Sequence, residues 1–271
     1  MTPLVAGYDL VIFDLDGVLI LGTDPVPGAP DAIGRLRESR IPLAYGTNNA
    51  SRTAGEVADL LTSIGIPATA DEVMTSAQAA AAVLAQRFPA GSPVLVVGAP
   101  ALAQDVREVG LQTVTSADDK PVAVVQGYGP AVGWPVLAEA CLAIRAGATW
   151  VATNLDRTLP SPRGPLPGNG SLVAVLATAL NRQPDLVVGK PDPGLFQQAA
   201  QSRNAARTLV VGDRLDTDIE GANRAGMDSL LVLTGVSQRA DLAAAPPERR
   251  PTYVAEDLSA LFQPATAVSA A

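Results

Sequence analysis

Short apolar runs recur along the chain and constrain its fold more than any other feature. Each run is rich in valine, isoleucine and leucine at consecutive positions and stops at a small or charged residue. Consecutive apolar positions are typical of β-strands that are covered on both faces. The sequence therefore predicts buried strands at residues 10–13, 42–45, 94–97, 122–125, 150–152, 186–188, 209–211 and 229–233.

Alanine-rich stretches with helical periodicity separate these runs. The helices predicted in this way cover residues 54–64, 77–87, 135–146, 172–180 and 193–202. Regular alternation of strand and helix is the pattern of a parallel sheet with helices on both faces. The predicted fold class is therefore α/β, with a Rossmann-like parallel sheet at its core.

The amino-acid composition excludes several classes of site. The 271 residues contain no histidine and one cysteine, Cys141, which rules out histidine-based catalytic triads, Cys/His zinc sites and internal disulfides. The net charge is -8 and the basic residues are scattered, so we expect no surface that follows the phosphates of a nucleic acid. Any bound metal must therefore take oxygen ligands.

The sequence predicts neither a signal peptide nor a membrane span. The longest apolar run, residues 10–21, is interrupted by Asp14 and Asp16, and the first basic residue is Arg35. We therefore expect a cytoplasmic protein that has no membrane or nucleic-acid partner. The sequence leaves open whether the protein forms a homo-oligomer.

Two aspartates follow the first predicted strand. Asp14 and Asp16 come directly after residues 10–13 and are separated by one residue. A carboxylate at the carboxyl end of a parallel strand lies where open α/β sheets bind their ligands. Turn capping is the alternative role, but neighbouring carboxylates repel each other, and burial of Asp14 would be costly without a cation. The cation favoured here is Mg²⁺, since it takes oxygen ligands and retains waters.

Two further polar segments follow apolar runs. Thr47, Asn48 and Asn49 supply a hydroxyl and two amides that can bond phosphate oxygens, so they are candidate substrate-binding residues. Lys190 lies between a predicted strand and a helix that starts near Pro193. A solvated surface charge is the alternative role for this lysine.

A third polar segment follows the strand at residues 209–211. It contains Asp213, Asp216 and Asp218, a second group of carboxylates at a strand end. Capping of the helix that begins near residue 219 is the alternative role, and it fits Asp218 better than the other two.

Taken in order, the segments DLDG, TNN, GKPDP and GDRLDTD closely resemble the four motifs of the haloacid dehalogenase-like phosphatases. The resemblance extends from residue 10 to about residue 233. Each motif alone is a weak signal, but the ordered set is specific. The chain is therefore expected to share the fold and the chemistry of this family.

The resemblance implies a covalent mechanism. Asp14 matches the family aspartate that attacks phosphorus and forms an aspartyl-phosphate. Asp16 matches the general acid and base, and its presence distinguishes the phosphatases from the dehalogenases of the superfamily. Thr47 would hold the phosphoryl oxygens, and Lys190 would neutralise their charge.

The resemblance also implies a set of metal ligands. Asp14, Asp213 and the backbone carbonyl of Asp16 would bind Mg²⁺. Asp218 matches a supporting carboxylate near the metal.

The spacing of the motifs predicts an inserted domain. Only 31 positions separate Asp16 from Thr47, whereas 143 separate Thr47 from Lys190. The longer interval has its own alternation of strands and helices. We therefore predict an α/β cap domain at residues 79–186, inserted between catalytic core segments at residues 1–78 and 187–271.

An insertion at this place resembles the subfamily of nitrophenyl-, pyridoxal- and glycerol-phosphate phosphatases. The T-N-x-D element and the glycine-rich segment of that subfamily correspond to residues 153–156 and 167–171. Asn154 and Asp156 are therefore candidate substrate-binding residues, with turn formation as their alternative role. Phrases such as TNNASR and LPGNGS are similar to those of bacterial glycerol phosphate phosphatases, so glycerol 3-phosphate is the leading expected substrate.

Two other functions are compatible with these motifs. A phosphotransferase or mutase of the same fold would pass the phosphoryl group to another hydroxyl, and a non-catalytic relative would only bind a phosphorylated metabolite. Asp14, Asp16, Thr47, Lys190 and Asp213 all keep the functional groups that catalysis needs. The expected function is therefore Mg²⁺-dependent hydrolysis of a small phosphate monoester.

Overall fold

The computed structural model describes residues 2–159 and 163–268. The chain divides into two compact units. The first comprises Met1–Gly46, Gly55–Met74 and Lys190–Ala271, and the second comprises Thr47–Ala54 and Thr75–Gly189. The segment Thr47–Ala54, which the sequence-based boundaries assign to the core, belongs to the second unit because Ala50 packs into that unit's apolar interior.

The strands are short, as expected for an α/β protein. In chain order they are β1 (Leu10–Phe13), β2 (Ile20–Leu21), β3 (Asp24–Pro25), β4 (Leu43–Thr47), β5 (Val73–Thr75), β6 (Pro93–Val97), β7 (Gln112–Val114), β8 (Ala123–Gln126), β9 (Thr149–Ala152), β10 (Thr158–Leu159), β11 (Leu166–Pro167), β12 (Leu186–Val187), β13 (Thr208–Gly212), β14 (Asp228–Val232) and β15 (Tyr253–Ala255).

The helices connect the strands in both units. They are α1 (Ala29–Glu38), α2 (Ala54–Ser63), α3 (Ser76–Arg87), α4 (Pro100–Glu108), α5 (Trp134–Arg145), α6 (Asn169–Leu180), α7 (Gly194–Ser202), α8 (Glu220–Ala225) and α9 (Arg239–Ala244). Among the described residues, no helix combines the length and the apolar character that a membrane crossing requires.

The first unit contains a six-stranded sheet in the order β15-β14-β13-β1-β4-β5. The ladders from β15 to β4 are parallel, and their register pairs Phe13 of β1 with Val211 of β13 and with Tyr45 of β4. This strand order is that of the doubly wound Rossmann fold, in which the order reverses between β1 and β13. The carboxyl ends of these two strands are therefore the expected place for a ligand.

The second unit contains its own five-stranded parallel sheet in the order β12-β9-β8-β6-β7. Apolar residues fill both faces of this sheet, with Val125 and Val151 on one side and Val124 and Trp150 on the other. Burial on both faces explains why β8 and β9 are apolar at consecutive positions in the sequence. The predicted α/β fold class is confirmed.

Several of the elements that the sequence patterns miss are edge strands or helices with a proline in the first turn. Strands β7 and β15 are partly buried edge strands of only three residues each, too short to stand out as buried apolar runs. Helices α1 and α4 carry a proline in their first turn. In a sequence, proline usually indicates that a helix is interrupted, so these two helices are not predicted from the sequence. A first-turn proline is tolerated because its missing N–H has no partner within the helix.

The buried carboxyl of Asp105 makes the stability of the protein depend on pH. Asp105 lies on α4 and is 5% exposed, and its Oδ2 atom has no hydrogen-bond partner within the described part of the chain. Burial, with a smaller contribution from Glu108, raises the pKa of Asp105 to about 6. The folded state therefore holds this proton more tightly than the unfolded state does. The associated stability is lost as the pH rises from the ordinary pKa of 3.8 through about 6.

The substitution Asp105→Asn is expected to favour the folded state more at pH 7 than at pH 4, because an amide cannot ionise on burial. Urea unfolding at both pH values measures this difference in the free energy of unfolding. Asp119→Asn, at an exposed position, is the matched control for the change from carboxylate to amide and should alter the free energy of unfolding little. An effect of Asp105→Asn that is equal at the two pH values would contradict the prediction.

Candidate active site

Two aspartates lie at the point where the strand order of the first unit reverses. Asp14 follows β1 directly, and Asp213 follows β13. The backbone N–H of Asp14 continues the ladder between these strands by donating to the carbonyl of Val211 at 2.9 Å. The parallel register thus brings together two carboxylates that are far apart in the sequence.

Lys190 bonds to two of the carboxylates at this site, Asp14 and Asp218. Its Nζ atom lies 2.5 Å from Asp14 Oδ1, 2.7 Å from Asp218 Oδ1 and 3.2 Å from the carbonyl oxygen of Gly46. The lysine side chain is 3% exposed, so these contacts form away from bulk water. The alternative of a solvated surface charge is therefore wrong for Lys190.

Asp218 lies on a single π-helical turn, Leu215–Ile219. Such turns are rare and occur often at functional sites. Its Oδ2 atom accepts a hydrogen bond from the backbone N–H of Arg214 at 3.1 Å, while Oδ1 accepts from Lys190. Both carboxylate oxygens of Asp218 therefore bond to the protein, which is consistent with a supporting role.

A loop after β14 encloses Asp213. The Oδ2 atom of Asp213 accepts a hydrogen bond from the backbone N–H of Val236 at 2.7 Å, and Thr234 Oγ1 donates to the carbonyl of Gly17 at 2.6 Å. A Cβ atom on Gly235 would overlap the Asp213 carboxylate. Sequence reasoning missed this loop, although a Thr-Gly pair directly after an apolar strand was a usable signal.

Burial and mutual repulsion act on the carboxylates of this cluster. Burial raises the pKa of Asp14 well above its usual range; Lys190 opposes this effect, and the charges of Asp218 and Asp213 add to it. Burial and then Asp218 raise the pKa of Asp213 to about 7. Burial disfavours the charge of Lys190, but Asp14 and Asp218 outweigh burial and hold the pKa of the lysine above its ordinary value.

The cluster has the ligands that a hard divalent cation requires. Asp14, Asp213 and Asp218 each offer a carboxylate oxygen within 4.8 Å of the others. Asp213 Oδ1 is buried and accepts no hydrogen bond from the described residues. A single lysine also cannot balance three buried carboxylates. The unbonded oxygen and the excess negative charge both fit a cation such as Mg²⁺.

Asp16 lies two residues beyond Asp14 and is exposed. Its backbone bridges to Ile20 in the turn that precedes the small hairpin of β2 and β3. The carboxylate of Asp16 therefore has access to solvent, while that of Asp14 is buried. The sequence-based metal set used only the backbone carbonyl of Asp16.

The remaining predicted site residues lie in the second unit. Thr47 is the last residue of β4, and its Oγ1 atom accepts the backbone N–H of Asn49 at 3.0 Å. The hydroxyl hydrogen of Thr47 does not take part in this bond. Asn48 Nδ2 donates to Asp156 Oδ2 at 3.0 Å, and Asn154 Nδ2 donates to the carbonyl of Asn48 at 2.7 Å. The structure thus brings together the predicted residues of the T-N-N and T-N-x-D elements.

The contact between Gly235 and Asp213 supports a testable prediction. Gly235→Ala is expected to displace the Asp213 carboxylate or the loop, because a methyl group would occupy the space of that carboxylate. Isothermal titration with MgCl₂ should show affinity lowered by about 10-fold or more, which corresponds to strain of ~1.4 kcal/mol or more. Gly34→Ala, on α1 with open space around it, is the control for adding a methyl group. Unchanged Mg²⁺ affinity in Gly235→Ala would contradict the proposed role of the loop.

Comparison with known proteins agrees with this geometry. A family model described as haloacid dehalogenase-like hydrolase matches residues 11–112, and a related hydrolase-like model matches residues 187–261. The D-glycerol 3-phosphate phosphatase of Mycobacterium tuberculosis is 50% identical over 263 residues, which cover 97% of this chain and 73% of that protein. The 5'-nucleotidase YutF of Bacillus subtilis is 37% identical over 254 residues, which cover 93% of this chain and 96% of that protein.

Solved structures show the same relationship. A glycerol phosphate phosphatase from Mycobacterium tuberculosis in complex with magnesium superimposes with a TM-score of 0.95 at 49% identity, covering 99% of this chain and 81% of that chain. The p-nitrophenyl phosphatase from Archaeoglobus fulgidus superimposes with a TM-score of 0.85 at 28% identity, covering 94% of this chain and 98% of that chain. Motifs, strand order, acidic cluster and relatives all lead to one conclusion: the chain belongs to the haloacid dehalogenase-like hydrolase family.

Proposed function

We propose that this protein is a Mg²⁺-dependent phosphatase that hydrolyses small phosphate monoesters through an aspartyl-phosphate on Asp14. The observation that carries the proposal is the buried cluster at the strand ends. Lys190 Nζ lies 2.5 Å from Asp14 Oδ1, and Asp213 keeps a buried oxygen without a hydrogen bond. A nucleophile, a fixed positive charge and a cation ligand are the groups that phosphoryl transfer needs.

Three site residues of the first unit have distinct roles in the proposed reaction. The carboxylate of Asp14 attacks phosphorus, and the ester oxygen leaves as an alkoxide. Asp16, which is exposed, donates a proton to that alkoxide and later removes a proton from the water that hydrolyses the aspartyl-phosphate. Lys190 holds Asp14 in place and offsets negative charge.

A metal ion and a supporting carboxylate complete the proposed site in the first unit. Asp14, Asp213 and the carbonyl of Asp16 would hold Mg²⁺, which when bound neutralises charge on the phosphoryl group. Asp218 supports the cluster through Lys190. Thr47, Asn48 and Asn49 supply hydrogen bonds to phosphoryl oxygens.

Glycerol 3-phosphate is the substrate that we infer first. The support is the 50% identity to a D-glycerol 3-phosphate phosphatase, while other relatives are a 5'-nucleotidase and acid sugar phosphatases. The names of all these relatives refer to enzymes that act on small phosphorylated compounds. Such metabolites are abundant inside cells, and we therefore infer a cytoplasmic location.

Phosphate release from a panel of esters tests the proposal. The panel contains glycerol 3-phosphate, a nucleoside monophosphate, a hexose phosphate and p-nitrophenyl phosphate, each assayed with MgCl₂ and after treatment with EDTA. We expect release that requires the metal and is fastest with glycerol 3-phosphate. Activity that survives exhaustive EDTA treatment would exclude metal dependence.

Product analysis separates hydrolysis from the alternative reactions. Free phosphate in stoichiometric amount with the released alcohol supports a phosphatase. Transfer to an added acceptor alcohol would identify a phosphotransferase or mutase. Binding without turnover of any ester would identify a non-catalytic binder.

A further inference from the structure

The side-chain amide of Asn154 is buried, and both its nitrogen and its oxygen bond to the protein. Its Nδ2 atom donates to the carbonyl oxygen of Asn48 at 2.7 Å and to Thr153 Oγ1 at 3.3 Å. Its Oδ1 atom accepts the backbone N–H of Asp156 at 3.1 Å. The residue is 3% exposed. Both amide hydrogens are thus committed, and none is left to bond a substrate.

Asn48 is the residue on which these contacts converge. Its carbonyl oxygen accepts a second hydrogen bond from Ser76 Oγ at 2.7 Å. Its Nδ2 atom donates to Asp156 Oδ2 at 3.0 Å. Asn154 therefore contacts the backbone of Asn48, while Asp156 contacts its side chain.

A third asparagine, Asn169, bonds to the backbone of Asn154. Asn169, the first residue of α6, donates from Nδ2 to the carbonyl of Asn154 at 2.8 Å and to the carbonyl of Gln126 at 3.2 Å. The next residue, Gly170, packs so closely on the loop that a Cβ atom would overlap the carbonyl of Leu155. The glycine-rich segment at residues 167–171 therefore packs against the T-N-x-D loop at residues 153–156 and bonds to its backbone.

We propose that Asn154 is a positioning residue, which sets the orientation of Asn48 and Asp156 without touching the substrate. The inference rests on the proposed function, because the segment Thr47–Asn49 is the one expected to bind phosphoryl oxygens. A phosphoryl group is common to every substrate, whereas the alcohol differs. Loss of Asn154 therefore weakens turnover of all phosphate esters to the same extent, and substrate choice stays unchanged.

Kinetics of Asn154→Ala on two substrates test this role. We expect kcat/KM to fall by about 10- to 100-fold for p-nitrophenyl phosphate and for glycerol 3-phosphate alike. The variant removes one of the two donors to the buried carbonyl of Asn48 and the acceptor of the Asp156 N–H. The inhibition constant of inorganic phosphate should rise in parallel. A loss confined to glycerol 3-phosphate would mean that Asn154 contacts the leaving group, and it would overturn the proposal.

A double-mutant cycle with Ser76→Ala measures whether the effect passes through the carbonyl of Asn48. The two donors share that acceptor, so their effects on kcat/KM should be non-additive. Strict additivity would overturn the proposal. Ser76→Ala also serves alone if Asn154→Ala fails to fold, and it should then lower kcat/KM equally for both substrates.

Asp185→Ala controls for general loss of stability in the second unit. Asp185 Oδ2 accepts the backbone N–H of Trp150 at 2.7 Å, at the far end of the strand that leads to Asn154. We expect this variant to unfold more easily but to keep its kcat per active site within about 2-fold. If Asp185→Ala loses as much activity as Asn154→Ala, the role of Asn154 is only structural.

Hydrogen exchange tests the positioning without any substrate. In Asn154→Ala, the amides of Asn48 and Asp156 should exchange faster, while those of β6 and β8 keep their protection. Unchanged exchange at both residues would overturn the inference. If the wild type releases no phosphate from any ester, the proposed function is refuted. Faster exchange in Asn154→Ala would still support the positioning role.

Discussion

Replacement of Asp14 by asparagine is expected to abolish phosphate release while the protein remains folded. An amide has the shape of the carboxylate but cannot attack phosphorus, so no aspartyl-phosphate can form. We expect kcat to fall by about 10⁴-fold or more, the scale of losing a catalytic nucleophile. Steady-state phosphate release with glycerol 3-phosphate and MgCl₂ measures the loss.

The folded state of Asp14→Asn should change little. The variant loses the ion pair with Lys190 but also loses one of three mutually repelling carboxylates, and these effects oppose each other. Circular dichroism and the unfolding midpoint check this point. An acid-quench experiment with labelled substrate should trap a covalent phosphoprotein in the wild type only. Near-normal turnover in Asp14→Asn would refute the covalent mechanism.

Replacement of Lys190 by methionine is expected to remove both activity and stability. Methionine fills a similar volume, but it leaves Asp14 and Asp218 buried without their cationic partner. Removal of one partner from a buried ion pair costs about 3 to 5 kcal/mol. Urea unfolding in EDTA measures the loss of folding free energy, and phosphate release measures the loss of activity.

The other lysine of the chain supplies the control for this substitution. Lys120 is exposed, and Lys120→Met should leave both quantities nearly unchanged. Addition of MgCl₂ should stabilise Lys190→Met more than the wild type, because the variant retains the excess negative charge that the cation offsets. If Mg²⁺ stabilised the two proteins equally, Lys190 and the metal would not share the same carboxylates.

The central strands could be predicted because the chemistry of burial is local. Strands β1 and β13 are buried at every position, and their residues 10–13 and 209–211 are all apolar. Such a pattern is typical of strands covered on both faces, and it is visible in a few residues. Edge strands such as β7 could not be predicted in this way, because one side of each lacks a neighbour and its residues are only partly buried.

The chemistry of the site was also readable, because it depends on residue type. The absence of histidine and the presence of one cysteine restrict a metal to oxygen ligands, and Asp14, Lys190 and Asp213 follow predicted strands where parallel sheets bind ligands. Their order along the chain was enough to identify the family. Contacts between side chains of distant segments, however, leave no recognisable pattern in the sequence around either residue.

The sequence by itself determined the fold class, the family and the kinds of group at the site. Only the tertiary structure decided which groups meet. Asp213 gains its hydrogen bond from Val236, and Asn154 reaches the carbonyl of Asn48 across 106 positions of sequence. The physical reason is that a hydrogen bond requires two atoms within about 3 Å of each other. Sheet register and loop packing bring these atoms together, and the sequence around each residue does not show which distant residue will be its partner.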